Sequence, residues 1–361
     1  MDTLIVTGGA GFIGSNLVRT ILNSSQDRVI VVDKLTYAGN LASLKEVMHH
    51  PRFVFVEADI QDSHMMANIF KEYEPQGVFN LAAETHVDRS IEGPHVFINT
   101  NVMGTMVLLE STKKYFAGLS DENKEKFRYL QISTDEVYGS LGKTGAFKET
   151  TAYDPRSPYS ASKAAGDHLA KAYYHTYGLP VIVTNCSNNY GPFQFPEKLI
   201  PLVILNALEG KPLPIYGDGS NVRDWLYVED HCAGLYLAWK KGRVGETYNI
   251  GGENEKTNLQ TIDTICSLLD EFLPIQQNQN LKDKNISSYK ELKTFVPDRP
   301  GHDKRYAIDA TKFRKETGWE PKHSYKENMK KTVEWYLEHK QWCELVQSGK
   351  YRRERLGLVK S

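Results

Sequence analysis

Cysteine is scarce in this chain: four in 361 residues, at Cys186, Cys232, Cys266 and Cys343, far apart and without a CxxC pair. That excludes a densely stapled small scaffold, and no His/Cys spacing typical of a metal site occurs. Buried thiols in a reduced cytoplasm are the expectation. Long hydrophobic runs are missing too, since none reaches the ~18–20 residues of a membrane span. The opening "MDTLIVTGGAGFIG" has no basic segment before its apolar run, which is not the pattern of a secretory signal. Charge of one sign is also lacking. Lys and Arg number 44 against 45 Asp and Glu, a formal net charge of −1. Neither a basic stripe nor an aromatic platform for nucleic acid is present, and nothing favours an anionic membrane surface, although a local basic patch could still serve an anionic ligand. No metal, no nucleic acid and no membrane are therefore expected as partners.

What is present is ordinary in composition and strongly ordered in pattern. Hydrophobic residues at 40 % and charged residues at 25 % fit a soluble globular protein, and the length allows one large domain or two. Six β-rich runs, "TLIVTG", "RVIVVD", "FVFVEAD", "GVFNLAA", "RYLQIST" and "VIVTNCS", each end in small or polar residues. Helical periodicity fills most of the gaps, as in "FIGSNLVRTILNSS" and "SASKAAGDHLAKAYYHTYG". Strand and helix in turn predict an α/β fold, a Rossmann-type doubly wound parallel sheet. After about Tyr190 the pattern loosens into Pro-, Gly- and aromatic-rich sequence and later a polar Gln/Asn-rich patch. A smaller α/β substrate-binding domain is expected there. Residues 1–190, 223–258 and about 314–334 are assigned to the cofactor domain. Residues 191–222, 259–313 and 335–361 are assigned to the smaller one.

"VTGGAGFIG" sets Gly9, Gly11 and Gly14 in G-x-G-x-x-G register, with Gly8 three before Gly11. Any tight strand–helix turn can use glycine, so the context decides. Here the turn follows an apolar strand and opens a helix. Gly8 or Gly9 permits the sharp turn, Gly11 lets backbone approach a pyrophosphate, and Gly14 lets the helix pack closely. The next strand ends in Asp33, 19 residues beyond Gly14. A carboxylate there accepts from both ribose hydroxyls and repels a 2′-phosphate, which favours NAD over NADP, with Lys34 as the opposing signal. Asp59 and Ile60 close the third strand where an adenine edge would lie, and Ala82 and Ala83 offer a small-residue floor.

Two further stretches carry chemistry. "ISTDEVYG" puts Thr134, Asp135 and Glu136 where a strand leaves the core, and "YSASK" puts Tyr159 and Lys163 at i,i+4 spacing. A phenol of pKa ~10 is a poor base at neutral pH. An ammonium one turn behind it, with an oxidised nicotinamide ring, would favour the phenolate and let Tyr159 take a hydroxyl proton. Taken alone, each motif has a plainer reading: a packed aromatic at a helix start, and two solvated or capping loop carboxylates. The glycine turn in the same chain is what favours catalysis.

"GGAGFIG", Asp33, "NLAAETHVDRS" and "YSASK", in this order, resemble the extended short-chain dehydrogenase/reductases. "ISTDEVYG", "TNCSNNYGPFQFPEKLIP", "RDWLYVEDH" and "DRPGHDKRYAID" resemble, more narrowly, the nucleotide-sugar 4,6-dehydratases, over residues 3 to about 340. The resemblance implies an NAD-dependent lyase, with dTDP-glucose as the expected substrate and a 4-keto-6-deoxy sugar as product. By that resemblance Tyr159 deprotonates the 4-hydroxyl while Thr134 hydrogen-bonds its oxygen. Glu136 removes the carbon 5 proton and Asp135 protonates the departing 6-hydroxyl. The hydride taken up by NAD returns to carbon 6. Further cofactor contacts implied are Gly8, Gly11, Phe12, Ile13, Gly14, Lys34, Thr36, Thr100, Tyr159, Lys163 and Asn189. Substrate contacts implied are Thr85, Thr134, Asn188, Lys198, Leu199, Pro214, Ile215, Tyr216, Arg223, Asn258 and the segment Asp298, Arg299, Pro300, Gly301 and His302. Arg223 suits a bidentate phosphate contact, or else a bridge to Asp224 or Glu229. His86, Asp88 and Arg89 are read as supporting and interface residues.

The insert "SLGKTGA" is compact compared with some members of the family, which leaves that loop open and not the catalytic residues. The helices "NVMGTMVLLESTKKYF" and "AAGDHLAKAYYHTYG" carry apolar residues on more than one face, so a homodimer through a four-helix interface is expected. The alternatives on the same fold are a UDP-glucose 4,6-dehydratase, an epimerase or a decarboxylase, and the acid pair argues against the epimerase, which needs only the hydroxyl, the Tyr and the Lys. A non-catalytic NAD sensor would be expected to have lost Tyr159, Lys163 or that pair.

Overall fold

The computed structural model describes residues 1–298 and 303–347. Its strands are β1 (Thr3–Thr7), β2 (Arg28–Asp33), β3 (Phe53–Glu57), β4 (Gly77–Asn80), β5 (Arg128–Thr134), β6 (Val181–Cys186), β7 (Asn188–Tyr190), β8 (Leu213–Tyr216), β9 (Val222–Tyr227), β10 (Thr247–Ile250), β11 (Glu255–Thr257) and β12 (Lys293–Val296). The six apolar runs are β1 to β6. Among the described residues they join β10 in one seven-stranded sheet of order β10-β6-β5-β4-β1-β2-β3. Every pairing is parallel, with Val6 opposite Val31 on one side and Phe79 on the other. The chain winds outward from β1 through β2 to β3, then restarts at β4 and winds the other way. The crevice beyond the ends of β1 and β4 is the switch point where such sheets bind ligands.

Alternation along each strand sorts its side chains onto two faces. Leu4 and Val6 point to a core closed by the helices Phe12–Ser24 and Val228–Lys241, through Leu17, Ile21, Leu235 and Trp239. Ile5, Ile30, Val32 and Val78 point to the other, closed by Ser63–Tyr73, Thr105–Ala117 and Pro158–Tyr177 through Phe70, Leu108 and Tyr173. With both faces covered, the strands need no polar alternation, which is why they read as unbroken apolar runs.

A second core gathers the helices Leu199–Glu209, Asn258–Phe272 and Tyr325–Glu338 around Ile204, Leu269 and Tyr336. Beside it lie a three-stranded sheet, β11-β9-β7, and a two-stranded one, β12-β8. The two cores divide the C-terminal sequence differently from the expected boundaries. Phe313 and Trp319 pack in the sheet's core, whereas Tyr325, Met329 and Val333 pack in the second. The cause is a Gly318 turn (φ 77°) that ends one helix and lets the next depart toward the second core. All four cysteines are buried and free. Among the described residues no helix is long and apolar enough to cross a membrane.

Candidate active site

The glycine turn after β1 is shaped by contacts that only glycine permits. Gly8 has φ +66°, and a Cβ there would stand 2.8 Å from the Ala82 backbone. A Cβ on Gly14 would meet the Gly8 carbonyl oxygen at 2.2 Å, so helix and turn are in backbone contact. Gly11 precedes the helix Phe12–Ser24 and offers no side-chain cap, which leaves the first amides directed into the crevice. Asp33 ends β2 with Oδ2 accepting from Ala10 N and Oδ1 from Leu35 N, both at 2.9 Å. Burial raises its carboxyl and the two amides oppose that rise. Lys34, which also lines the crevice, pairs there with Asp59, Nζ to Oδ2 at 3.2 Å, so its charge is already matched. A glycine cradle, uncapped amides, a ribose-spaced carboxylate and the small Ala82 and Ala83 fit a dinucleotide without a 2′-phosphate.

The reactive residues converge at the end of β5. Thr134 closes the strand and caps a single 3₁₀ turn, Asp135–Tyr138, its Oγ1 accepting from Glu136 N at 3.3 Å. The turn swings Glu136 into the cavity and Asp135 into the protein, where it is 1 % exposed. Burial and the neighbouring Glu136 and Asp224 hold the Asp135 carboxyl well above the usual range, against Arg223 and a Thr134 hydrogen bond. Its Oδ2 has no hydrogen-bond partner. Facing this turn is the helix Pro158–Tyr177, started by a Ser157–Ser160 capping box with proline at its first position. That start fixes Tyr159 in the first turn.

Tyr159 differs from expectation. Burial, Glu136, Cys186 and Asp135 push its phenol well above the ordinary value, and a Thr134 hydrogen bond is what opposes them. The expected lowering by Lys163 is not supplied by the chain alone. Lys163 is itself buried, with Nζ donating to Ile132 O at 2.7 Å, and burial lowers its own pKa. Burial and, after it, Glu136 dominate the phenol.

One cleft of about 290 Å³ takes in all of these groups except Asp135. The profile of the GDP-mannose 4,6 dehydratase family matches residues 5–332. A dTDP-glucose 4,6-dehydratase of Shigella flexneri is 58 % identical over 97 % of this chain and 96 % of its own length. The chain belongs to the dTDP-glucose 4,6-dehydratase family. Two solved structures of that family resemble it closely. One, from Bacillus anthracis in complex with NAD, is 48 % identical with a TM-score of 0.83, covering 96 % of this chain and 100 % of that one. Another, from Streptomyces venezuelae with NAD and TYD bound, is 44 % identical with a TM-score of 0.84, covering 95 % and 99 %.

For a member of the dTDP-glucose 4,6-dehydratase family the cleft is well populated by the residues expected of it. Gly8, Gly11, Phe12, Ile13, Gly14, Asp33, Lys34, Thr36, Asp59, Ile60, Ala82, Ala83, Thr100 and Asn189 all line it. So do Thr85, Thr134, Glu136, Tyr159, Lys163, Asn188 and Lys198. Lys198 Nζ donates to Thr85 O at 3.1 Å, and Asn188 Oδ1 is buried without a partner. Asn189 Oδ1 meets His231 Nδ1 at 2.9 Å; burial lowers that imidazole to about 3, so it stays neutral. Leu199, Pro214, Ile215, Tyr216, Arg223, Asn258 and Asp298 do not line the cleft. Arg223 on β9 donates to Val222 O at 2.8 Å and Asp303 O at 3.1 Å, with its guanidinium over the Tyr306 ring. Arg299, Pro300, Gly301 and His302 lie outside the described residues.

Sequence reading missed Glu84, Gln194, Phe195 and Glu197, which also line the cleft. Glu197 accepts from Tyr37 OH and Arg89 Nε, each at 3.2 Å, with His86 Nε2 at 3.9 Å. "PEK" gives no periodic signal; a carboxylate beside the singled-out Lys198 was the available clue.

Proposed function

We propose that the chain dehydrates dTDP-glucose to the 4-keto-6-deoxy sugar nucleotide with NAD regenerated. The observation that carries this is the split pair on one turn: Glu136 in the cleft facing Tyr159, and Asp135 dry beside it with its carboxyl held toward the neutral form. Separated environments for adjacent carboxyls are what an acid and a base in one reaction need.

The cofactor would rest on the glycine turn, Asp33 and the Ala82–Ala83 floor, where it supplies reversible hydride acceptance and, when oxidised, the positive charge that Lys163 alone does not provide for Tyr159. Tyr159 takes the 4-hydroxyl proton, and the Thr134 hydroxyl steadies that oxygen. The 4-ketone so formed acidifies the carbon 5 proton, which Glu136 removes. Asp135, whose carboxyl lies outside the cleft, would have to turn into it to give its proton to the 6-hydroxyl as that group departs as water. With hydride restored at carbon 6 and a proton at carbon 5, only water has been lost. Thr85, Asn188 and Lys198, which line the cleft, would meet the substrate; Arg223, Asn258 and Pro214–Tyr216, which do not line it, are assigned to the nucleotide end by the family resemblance alone.

Two finer readings accompany this. The chain works as a homodimer, supported by the half-exposed Val96, Ile98 and Met103 on the outer side of helical segments 94–117. Its four buried free thiols support the reducing cytoplasm as its compartment.

The test is incubation of purified protein with dTDP-glucose, with and without added NAD, following alkaline 4-keto absorbance and product mass. Loss of one water without net reduced cofactor is the expected result, with UDP-glucose in parallel setting the nucleoside preference. An unchanged mass with an epimerised sugar would overturn the reading.

A further inference from the structure

The helix Pro158–Tyr177 carries Tyr159, Lys163 and Asp167 at intervals of four, stacked on one face. Tyr159 and Lys163 are absorbed by the proposed chemistry. Asp167 is not, and it lies behind the cleft, 0 % exposed. Its Oδ2 accepts from Ser133 Oγ at 2.5 Å and Tyr153 OH at 3.1 Å. Asn185 Nδ2 donates to the Tyr153 oxygen at 3.2 Å, which leaves the phenol proton for Asp167. Two hydroxyl donors on one oxygen suit an ionised carboxylate. The other oxygen, Oδ1, is buried with no hydrogen-bond partner. Such an arrangement is costly unless a cation nearby offsets it.

Among the described residues no ion pair within 4.0 Å reaches Asp167, and the cation with the largest influence on it is Lys163, one turn back on the same helix, with Lys171 contributing less. Lys163 and Asp167 dock on consecutive residues of β5, the ammonium on Ile132 O and the carboxylate on the Ser133 hydroxyl. The same strand runs on into Thr134, Asp135 and Glu136. Burial lowers Lys163, with Asp167 the largest influence opposing it; burial likewise raises the Asp167 carboxyl above its ordinary value, with Lys163 the largest influence opposing that. The other titratable groups around the pair are Cys186 on β6, Tyr153 in the preceding loop, Tyr138 in the turn after β5, and Lys171 farther along the helix. Burial drives the thiol and both phenols upward, so they stay neutral and none provides a second anion.

We propose that Asp167 is a positioning residue for the dehydration, the buried counter-charge that keeps Lys163 an ammonium behind Tyr159. The catalytic part rests on the proposed function; the charge pairing does not. Without Asp167, Lys163 would shed its proton at lower pH, and Tyr159 would lose the chain's one nearby cation on its own helix face.

The experiment uses Asp167→Asn, which preserves shape and an acceptor for Ser133 and Tyr153. In protein labelled with ¹³C-lysine, the Lys163 resonance is identified by its loss in Lys163→Arg and titrated. The midpoint is expected to fall by about one pH unit or more in Asp167→Asn. The alkaline limb of kcat for dTDP-glucose should move down with it while KM changes little. Asp167→Glu should restore both. Ser133→Ala, which keeps the carboxylate and removes its shortest donor, should shift the midpoint in the same direction by less, and serves if Asp167→Asn does not fold. A midpoint unchanged in whichever of these variants folds would overturn the proposal. A shifted midpoint in a protein that does not dehydrate dTDP-glucose would instead retain the charge pairing and overturn the proposed function.

Discussion

Asp135, in its proposed role as the acid, would serve chemistry at the expense of the fold. Burial, Glu136 and Asp224 hold its pKa well above the unfolded value, and its Oδ2 has no hydrogen-bond partner. The native state therefore keeps a proton that the unfolded chain has released. Its contribution to stability is fully present below the unfolded pKa of ~3.9 and is lost as pH rises through the raised folded value. Asp135→Asn keeps the shape and removes the titration. It is expected to stabilise the protein by ~1–2 kcal/mol at pH 7, with the gain vanishing below about pH 4, while lowering the dehydration kcat by ~10²–10⁴. Thermal unfolding across pH beside steady-state kinetics checks both. A variant equally active, or no more stable at neutral pH, would remove Asp135 from the role of acid. Sequence identified the pair but not which member is dry, because that depends on Asp224 and Arg223 arriving from β9. The environment of Tyr159 was not legible for a related reason: i,i+4 spacing gives proximity to Lys163, but reports neither the burial nor the Glu136 carboxylate that raise the phenol in the chain alone.

At the scale of elements, what was legible followed burial. All six runs proved to be strands because a parallel sheet covered on both faces leaves its strands uniformly apolar. Outside that sheet the signal fails, since β7, β8, β11 and β12 have only three or four residues each. The helix expected from "NVMGTMVLLESTKKYF" is present, but its first part, Ile98–Gly104, is π-helical. That widening puts Thr100 on the cleft and lets Asn101 bond Glu84 and Ser162, a tertiary effect that no periodicity reports. The glycine turn, by contrast, is legible and testable as a unit. Gly14→Ala places a Cβ against the Gly8 carbonyl, so the helix must shift off the turn. The expected cost is about 1–3 kcal/mol of stability with NAD binding roughly tenfold weaker. Gly142→Ala, with nothing within 4 Å of the new atom, is the control and should change neither. Calorimetry of unfolding and of NAD titration decides it; normal binding by Gly14→Ala would mean the turn tolerates displacement.

At the scale of the whole molecule, the outer helices leave apolar groups exposed that the proposed second copy would cover. The segments 94–117 and Pro158–Tyr177 pack together against the sheet, yet Val96, Ile98 and Met103 remain 44–45 % exposed and Tyr177 52 %. Exposed apolar groups on packed outer helices are what self-association can bury. With a net charge of −1, no long-range repulsion opposes two copies meeting. Sedimentation should therefore give twice the chain mass, and the double substitution Ile98→Asp with Met103→Lys should reduce it to one. In the proposed dimer the consequence would reach the chemistry, because one of the helices packed there, Pro158–Tyr177, carries Tyr159, Lys163 and Asp167. Loss of pairing would loosen the face on which those three are stacked, so the double variant should lose activity per chain as well as mass. The parent should likewise lose specific activity on dilution, with midpoint at the dimer's dissociation constant. A parent that sediments as a single chain while fully active would separate the apolar face from the reaction and leave the helix held by the sheet alone.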